Sequence, residues 1–248
     1  MKETIKEERL DKFLANQGIG TRSEVKKYIR QGEVFVNGAA VKTPEYKIDP
    51  QTDEVSCRGM RVIKSGPSYY LFYKPAGCVT ATEDDYSRTV MDYLDVPKKE
   101  DLFPVGRLDK DTEGLLLITD DGALAHKLLS TKKHVDKTYF ALVSGEVTGE
   151  DIDAFASGLD IQDEKETMPA KLKVLGIQRR EECVYSEGEV TIQEGRYHQV
   201  KRMFEAVGKK VTYLKRLSMG TLTLTPELEK GCYRPLTDEE IKELRACI

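Results

Sequence analysis

An acidic loop that leads directly into an aliphatic run is the part of this sequence whose residue types and spacing best suit chemistry. The loop, residues 106–114, carries Asp109, Asp111 and Glu113, and the run 115–118 that follows is typical of a buried strand. A carboxylate held at the mouth of a core strand is well placed to act as a nucleophile or in proton transfer. The loop is therefore our first candidate for a catalytic centre.

Three other interpretations of the loop stay open from this segment alone. Alternating acids followed by Gly114 occur in calcium-binding EF-hand loops, but the preceding residues 103–106 make a poor entering helix. The acids also resemble the nucleophile loop of haloacid-dehalogenase-like phosphatases, which require Mg²⁺. That loop leaves a hydrophobic strand directly, whereas Gly106–Arg107 intervenes here. The third interpretation is a solvated acidic turn.

The composition of the 248-residue chain limits the compartment and the metal sites. Charged residues make up 33% of the chain, the mean hydropathy is −0.50, and no run of 18 apolar residues is present to span a membrane. The start of the chain has no apolar stretch, so we expect no signal peptide and a cytoplasmic protein with reduced cysteines. The five cysteines and three histidines lack metal-ligand spacing, so we expect no structural zinc site.

The positive charge is concentrated in two segments although the net charge of the chain is −4. Residues 1–64 hold 13 Lys and Arg against 10 Asp and Glu. Residues 196–216 hold seven Lys and Arg against Glu205 alone. Because binding to a polyanion needs a local positive face rather than a basic whole, nucleic acid remains a candidate partner.

The first 60 residues predict a small α/β module. Leu10, Phe13 and Leu14 lie on one face of a short helix, which ends in a Gly-x-Gly turn. A capping box formed by Thr21 and Glu24 then opens a second helix. The module therefore begins with two consecutive helices.

The second helix predicts a basic face, and a hairpin follows it. Arg22, Lys26 and Arg30 are spaced by four residues, and Lys27 lies beside them. Asn37–Gly38 between two short apolar segments predicts a β-hairpin. A solvated helix face is the usual explanation of such a basic stripe when it stands alone.

The order of helix, Gly-x-Gly, capped basic helix and Asn-Gly hairpin over residues 8–55 closely resembles the alpha-L RNA-binding module of a small-subunit ribosomal protein and several RNA-modifying enzymes. The resemblance implies binding through phosphate charge and shape, which suits structured RNA. It implies RNA contacts for seven residues: Arg9, Lys12, Arg22, Lys26, Lys27, Arg30 and Asn37.

Three later segments each have an ordinary structural interpretation when taken alone. Lys137 and Tyr139 project from one face of a strand-like segment, where a tyrosine is most often half-buried packing. The chain turns at Gly195 and enters an amphipathic helix whose apolar stripe spans 200–207. Tyr73–Gly77 is a strand end bounded by proline and glycine, as in many turns.

Together with the acidic loop, these segments resemble the motifs of one enzyme family. Lys-Pro-x-Gly, Gly-Arg-Leu-Asp-x-x-Thr-x-Gly-Leu, Lys-x-Tyr and Gly-Arg-x-x-Gln-Val-Lys-Arg-Met occur in the order found in pseudouridine synthases of the RsuA group. The alpha-L module is that group's usual partner domain. The resemblance implies an α+β protein: an RNA-binding module (1–61), a linker (62–67) and a pseudouridine synthase domain on a mixed, mostly antiparallel sheet (68–248).

The resemblance also implies roles for individual residues. Asp109 would be the catalytic aspartate, and Tyr139 the tyrosine that stacks on the target base and is a candidate for proton removal. Lys201 stands where many relatives have the arginine that pairs with the aspartate. Because lysine is a poorer bidentate partner than arginine, the neighbouring Arg202 stays an alternative for that role. Three residues are implied in RNA contacts: Arg107, Arg196 and Arg202.

The reaction implied is the isomerisation of uridine to pseudouridine in ribosomal RNA, free or within an assembling ribosomal subunit, by a monomeric enzyme. Because the reaction involves no redox step, hydrolysis or phosphoryl transfer, we expect neither a metal nor a cofactor. Within the family, the segments 197–203 and 119–122 most resemble the enzyme that acts on small-subunit ribosomal RNA, and the resemblance implies that substrate. The alternatives are a large-subunit uridine and a non-catalytic RNA-binding assembly factor.

Overall fold

The computed structural model describes residues 7–50, 52–63, 66–180 and 183–248. The chain divides into two compact units, Met1–Gly66 and Pro67–Ile248, which we call the first and second units. Residues 1–6, on which the expectation of no signal peptide partly rests, lie outside the described residues. Within the described ranges, no helix is long and apolar enough to cross a membrane.

The first unit packs two helices against short antiparallel strands. Strands β1 and β4 pair with each other, and the other four strands form a sheet in the order β3-β2-β5-β6. The apolar residues of both helices and of the sheet form one buried core. The elements are β1 (Glu8–Arg9), α1 (Leu10–Asn16), α2 (Arg22–Arg30), β2 (Val34–Val36), β3 (Ala39–Ala40), β4 (Lys47–Ile48), β5 (Val55–Cys57) and β6 (Met60–Val62).

Local sequence signals determine where these elements begin and turn. The predicted capping box is present, with the side chains of Thr21 and Glu24 each accepting a hydrogen bond from the other's backbone amide. Asn37 and Gly38 have φ values of 50° and 80°, and they join β2 to β3 in the predicted hairpin. A positive φ at both turn positions matches the twist of the flanking strands, which is why Asn-Gly is favoured there.

The connection between the units begins one residue later than the predicted linker. Val62 pairs with Val55 in β6 and is buried in the core of the first unit. Its apolar side chain is more stable there than in an exposed connector. Residues 64 and 65 of the predicted linker lie outside the described residues.

The second unit alternates strands and helices without a regular repeat. Short 3-10 helices cover Val90–Tyr93, Lys99–Asp101 and Thr131–Lys133. The other elements are β7 (Tyr69–Lys74), β8 (Phe103–Pro104), β9 (Glu113–Thr119), α3 (Gly122–Leu129), β10 (Lys137–Ser144), α4 (Gly149–Ser157), β11 (Lys171–Arg180), β12 (Cys183–Ile192), α5 (Gln199–Ala206), β13 (Lys210–Met219), β14 (Leu222–Thr223), β15 (Tyr233–Pro235) and α6 (Asp238–Ala246).

One nine-stranded sheet organises the second unit. Its main path runs β11-β12-β10-β13-β9-β7-β15, with β14 paired to β13 and β8 paired to β9. Strands β9 and β13 are parallel, whereas the other strand pairs named here are antiparallel. The predicted α+β fold on a mixed, mostly antiparallel sheet is therefore confirmed.

The junction of β9 and β13 requires a glycine where the acidic loop ends. Gly114 has a φ of 113° and pairs with Arg216, and a Cβ atom at Gly114 would overlap the Arg216 backbone. Only glycine adopts this conformation at low free-energy cost while allowing so close an approach. Gly114 thus fixes the point at which the loop enters the sheet.

Two clusters of apolar side chains cover the sheet near the loop. In the first, Phe155 of α4 and Phe204 of α5 pack with ring centroids 4.9 Å apart, and Met203 is fully buried beside them. In the second, side chains of α3 and α6 pack against β7 and β9. The predicted apolar stripe of α5 is confirmed, since Val200, Met203 and Phe204 are buried.

Candidate active site

A buried lysine holds the acidic loop from within. Lys74 ends β7, and its side chain is fully buried. Its Nζ donates to the carbonyl oxygens of Pro75 (3.1 Å), Asp109 (3.0 Å), Lys110 (3.4 Å) and Thr112 (2.9 Å). Burial lowers the pKa of Lys74, and the carbonyl dipoles supply the polar surroundings that a buried ammonium needs. Lys74 therefore fixes the backbone of Asp109 and of the residues that follow it in the loop.

Three further hydrogen bonds fasten the same loop to the segment after β7. The hydroxyl of Thr80 donates to the carbonyl oxygen of Leu108 at 2.8 Å and accepts from the Leu108 amide at 3.1 Å. The amide of Gly77 donates to the carbonyl oxygen of Lys110 at 2.7 Å. The backbone on either side of Asp109 is thus held before any substrate arrives, as a pre-organised site requires.

The carboxylate of Asp109 faces two groups from the segment around the start of α5. Its Oδ2 lies 3.1 Å from Nζ of Lys201, and its Oδ1 lies 3.6 Å from Nε2 of His198. Asp111 shares the same lysine, with Oδ1 2.6 Å from Nζ. Burial alone would lower the pKa of Lys201, but hydrogen bonds to Asp111 and Asp109 outweigh it and raise that pKa. Lys201 is therefore a charged partner for both acids.

Lys201 and Arg202, which are adjacent on α5, form contacts with different parts of the second unit. Consecutive residues of an α-helix point about 100° apart, so Lys201 and Arg202 cannot both face the loop. Arg202 donates to the carbonyl oxygen of Ile161 and forms an ion pair with Asp163 at 2.7 Å. The structure thus places the ammonium of Lys201, not the guanidinium of Arg202, against Asp109.

Arg196 is held in the same region as Arg202. Its guanidinium donates to the carbonyl oxygens of Lys165 (2.6 Å) and Glu166 (2.7 Å) and forms an ion pair with Glu194 at 3.0 Å. Arg196 and Arg202 therefore tie the segment 161–166 to the start of α5. Their RNA contacts stay predictions.

The third acid of the loop has a separate environment. Glu113 accepts hydrogen bonds from the hydroxyl of Tyr213 at 2.7 Å and from Nζ of Lys230 at 3.0 Å. Burial would raise the pKa of Glu113, but these hydrogen bonds hold it below its ordinary value. The three alternating acids hence do not converge on one point, and the calcium-loop interpretation loses its geometric basis. Within the described ranges, no group of three or more His, Cys, Asp or Glu residues is arranged to hold a metal ion.

Tyr139 lies in an apolar cluster that also contains chain neighbours of Asp109 and Lys201. It is 8% exposed and belongs to the same cluster as Leu108 and Val200, the chain neighbours of Asp109 and Lys201. This shared cluster places Tyr139 in the same part of the fold as Asp109 and Lys201. Its role toward a base stays a prediction.

Two buried cations lie beside Tyr139 in the sheet. Lys137 is two residues away on β10. Arg216, on the neighbouring strand β13, pairs with Tyr139. Arg216 Nε donates to the carbonyl oxygen of Leu115 at 2.7 Å, and its Nη2 is buried without a partner among the described residues. Burial, followed by the charge of Arg216, lowers the pKa of Lys137 to about 8. The charge of Asp136 opposes this decrease only in part, and Lys137 Nζ donates to the carbonyl oxygen of Val135 at 2.9 Å.

The predicted RNA-binding residues of the first unit differ in how they are held. Arg9 forms ion pairs with Asp11 (2.7 Å) and Glu45 (3.2 Å), whereas Lys12 and Lys26 are each 3.9 Å from an acid. The side-chain amide of Asn37 donates to the Asp53 carboxylate and accepts from the backbone amide of Glu54. These two hydrogen bonds hold the hairpin turn. Three basic residues are exposed and have no ion-pair partner among the described residues: Arg22, Lys27 and Arg30.

Two residues of the second unit, Lys74 and His198, form contacts near Asp109 that the sequence analysis did not predict. Lys74 belongs to the Lys-Pro-x-Gly segment, which pattern reasoning treated as a turn, and nothing in its spacing revealed four carbonyl contacts. His198 went unassigned although it directly precedes Gln199, the first residue of α5. Arg107 is exposed and has no polar side-chain partner among the described residues, so it is available to a ligand.

Comparison with protein-family models gives two matches in the same order as the two units. Residues 8–55 match the S4 domain, and residues 68–206 match the family described as RNA pseudouridylate synthase. A crystal structure of a pseudouridylate synthase superposes with a TM-score of 0.66 at 39% identity, covering 95% of this chain and 99% of the other.

Relatives of similar length include proteins named for the small ribosomal subunit, one named for the large subunit and one whose name gives no subunit. The chain is 46% identical to a Bacillus subtilis protein described as an uncharacterized RNA pseudouridine synthase, over 94% of this chain and 96% of that protein. It is 42% identical to ribosomal small subunit pseudouridine synthase A of Vibrio parahaemolyticus, over 94% and 97%. It is 39% identical to ribosomal large subunit pseudouridine synthase B of Bacillus subtilis, over 96% of both chains.

Proposed function

The chain belongs to the RNA pseudouridylate synthase family, and on that premise we propose that it isomerises a uridine of ribosomal RNA with Asp109 as the catalytic carboxylate. One observation carries the proposal. The Asp109 carboxylate lies 3.1 Å from the Lys201 ammonium, on a loop whose backbone Lys74 holds from within. A solvated acidic turn needs neither of these two lysines.

The chemistry explains why a carboxylate is needed. The bond between N1 of uracil and C1′ of the ribose breaks, the base rotates, and a bond from C5 to C1′ forms while C5 loses a proton and N1 gains one. Asp109 serves either by covalent attack on the sugar or base or by taking a ribose proton during elimination. Both routes balance without an oxidant, a reductant or a phosphoryl donor.

Lys201 keeps the carboxylate ionised when RNA covers the site. Exclusion of water penalises an isolated carboxylate, and an adjacent ammonium offsets that penalty. The Lys201 side chain is 19% exposed and the Asp109 side chain 25% exposed before RNA arrives. Asp111 is 73% exposed, so it holds Lys201 from the solvent side and has no chemical role in the proposal.

The target nucleotide must leave its helix to reach Asp109. Extrusion of a base costs a few kcal/mol, and stacking on an aromatic ring returns about 1–3 kcal/mol. Tyr139 supplies that ring in the proposal, and Arg107, which is exposed and unpaired among the described residues, holds the extruded nucleotide. These two assignments extend the family resemblance to this site.

The first unit recognises structured RNA through its phosphates. Its match to the S4 domain and the exposed cations of α2 support this part of the proposal. We propose small-subunit ribosomal RNA as the substrate, free or in an assembling subunit, for a monomeric cytoplasmic enzyme that needs no metal or cofactor. The relative named for the small subunit is 42% identical, and the one named for the large subunit, at 39%, keeps large-subunit RNA as the second candidate.

The test is to map pseudouridine in both ribosomal RNAs of cells with and without the protein, and then to complement with variants. We expect one or more small-subunit positions to lose pseudouridine without the protein. Asp109→Asn should restore none of it while keeping RNA affinity, because the side chain keeps its size and loses its charge. Asp111→Asn should restore it with a rate within about tenfold of wild type.

Three outcomes would each remove one part of the proposal. Loss of a large-subunit position alone would change the substrate. An active Asp109→Asn variant would exclude that residue as the catalytic carboxylate. Unchanged pseudouridine in both RNAs, with retained binding, would favour an RNA-binding assembly factor. Assays in a chelator, on a short RNA folded in monovalent salt, separate a metal-dependent phosphatase from the proposed isomerase.

A further inference from the structure

Two stacked aromatic rings stand beside the proposed catalytic carboxylate. The rings of Tyr197 and His198 have centroids 3.8 Å apart and planes inclined by 18°. Nε2 of His198 lies 3.6 Å from Oδ1 of Asp109, so the inner ring of the pair borders the carboxylate. Tyr197 is 74% exposed, so the outer ring presents its face to solvent.

The backbone holds this pair in an unusual conformation. His198 has φ 49° and ψ 31°, a left-handed conformation that is unfavourable for a non-glycine residue. Its carbonyl oxygen accepts from the Arg202 amide at 3.0 Å, and the Tyr197 carbonyl oxygen accepts from the Arg202 guanidinium at 3.2 Å. The Arg196 amide donates to the Gln199 side chain at 2.9 Å. The backbone that carries the two rings is therefore held in place before a ligand arrives.

A flat exposed ring beside a site for an extruded nucleotide suits a second base. When the target uridine leaves its helix, the base next to it in the chain loses a stacking partner. An aromatic face offers a stacking surface to any base and does not select the sequence. Lone exposed aromatic residues are common, but this one continues a stack that ends at Asp109.

We propose that Tyr197 and His198 form an aromatic shelf on which the base adjacent to the target uridine stacks while the uridine is extruded. The inference rests on the proposed function and adds a binding site to it. Tyr197 offers its outer face to the neighbouring base, and His198 supports the tyrosine from behind and separates that base from Asp109. The shelf compensates for the stacking energy that extrusion removes.

The chain contains no tryptophan, so Tyr197→Trp introduces a single fluorescent reporter at the shelf. In an Asp109→Asn background, which binds without turnover, the probe is a short RNA containing the uridine that mapping identifies. We expect the fluorescence to be quenched on binding. Two further RNAs carry an abasic residue directly 5′ or directly 3′ to that uridine. We expect one of the two to bind but to quench much less. Binding of the intact RNA without quenching would overturn the shelf.

Turnover gives a second, independent measurement. Tyr197→Ala should lower kcat/KM by about 10- to 100-fold, the equivalent of one lost base stack, and Tyr197→Phe should recover most of that loss because it keeps the ring. Tyr86→Ala removes a 98% exposed tyrosine from another turn and is the matched control.

Each kinetic outcome bears on the shelf separately from the reaction itself. If Tyr197→Ala matches wild type, or falls no further than Tyr86→Ala, the shelf is excluded. If Tyr197→Phe is as impaired as Tyr197→Ala, the hydroxyl matters rather than the ring, and the stacking proposal is likewise excluded. A wild-type protein that makes no pseudouridine at all would instead contradict the proposed function, and the shelf with it, whereas failure of the shelf alone leaves wild-type turnover intact.

Discussion

On helix α2 of the first unit, Arg22, Lys27 and Arg30 are exposed and have no ion-pair partner among the described residues. On helix α5 of the second unit, Lys201 and Arg202 are largely covered, and both lie against oxygen atoms. Both helices are short, amphipathic and rich in basic residues. A basic stripe in a sequence therefore does not reveal whether the charge faces a partner or the protein's own acids.

The difference has energetic consequences. An exposed cation keeps its hydration until a phosphate replaces it, so its contribution appears only on binding and is screened by salt. A half-buried cation such as Lys201 has given up much of its hydration already, and losing its partner leaves a charge uncompensated. We therefore expect substitutions on α5 to affect turnover and stability, and substitutions on α2 to affect affinity.

The largest expected effect is at Lys201. Lys201→Met should lower kcat by about 10²- to 10³-fold at saturating RNA, because Asp109 then lacks its ammonium in a site from which RNA excludes water. Arg202→Met is the matched control, since it removes a neighbouring charge that lies against Ile161 and Asp163 instead. It should lower kcat less than tenfold while lowering the melting temperature.

Single-turnover kinetics with circular dichroism to verify folding measure both variants of α5. Equal losses of kcat in folded Lys201→Met and Arg202→Met would contradict the assignment of Lys201 as the partner of Asp109. They would also remove the distinction between a positioning cation and a structural one on this helix.

The second effect is on stability, at Lys137, a buried cation without an ion-pair partner among the described residues. Burial lowers the pKa of Lys137 from 10.5 to about 8, so between these values the unfolded chain binds more protons than the folded one. Stability should therefore rise with pH through this window, and the penalty is fully present below pH 8. Lys137→Met should be more stable than wild type by about 1–3 kcal/mol at pH 7.

Urea unfolding of the whole protein at pH 7 and pH 9.5 tests this prediction. The advantage of Lys137→Met should shrink at the higher pH, because the wild-type lysine is then mostly neutral when folded. Lys132→Met removes an exposed lysine and should show no such pH dependence. A Lys137→Met advantage that stays the same at both pH values would mean that the buried charge is not what it relieves.

Much of the fold could be predicted from local patterns. The capping box at Thr21 and the Asn-Gly hairpin follow from residues within four positions of each other, and both are present. The parallel pairing of β9 with β13 could not be predicted in this way. Its contacts join residues about a hundred positions apart, and local propensity carries no information about such pairs.

The candidate site likewise has some features that could be predicted from the sequence and others that could not. The family resemblance led to Asp109 and Lys201, which are far apart in the chain, whereas spacing alone left calcium, phosphatase and acidic-turn interpretations open. Lys74 was missed because its acceptors are backbone carbonyls, which every residue has and no pattern distinguishes. The choice between Lys201 and Arg202 depended on the rotation of α5 about its axis, which packing determines.

The smallest expected effect on turnover is on α2, and it is the sharpest test of the comparison. Arg22→Gln, Lys27→Gln and Arg30→Gln together should leave kcat at saturating RNA within about twofold of wild type, because these residues belong to the first unit and the proposed reacting groups to the second. Their effect should appear in affinity instead. Each lost phosphate contact should reduce the slope of log affinity against log salt by roughly 0.7–0.9.

The triple variant should therefore bind more weakly at low salt and approach wild-type affinity as the salt concentration rises. The control is Arg61→Gln, which removes an exposed cation of the same unit that already pairs with Glu54 at 2.7 Å. Because that arginine must leave its partner before it can bind a phosphate, the variant should keep the wild-type slope. If the triple variant keeps the wild-type slope as well, the exposed stripe of α2 is a solvated face, and RNA is bound by the paired cations of the first unit or by the second unit alone.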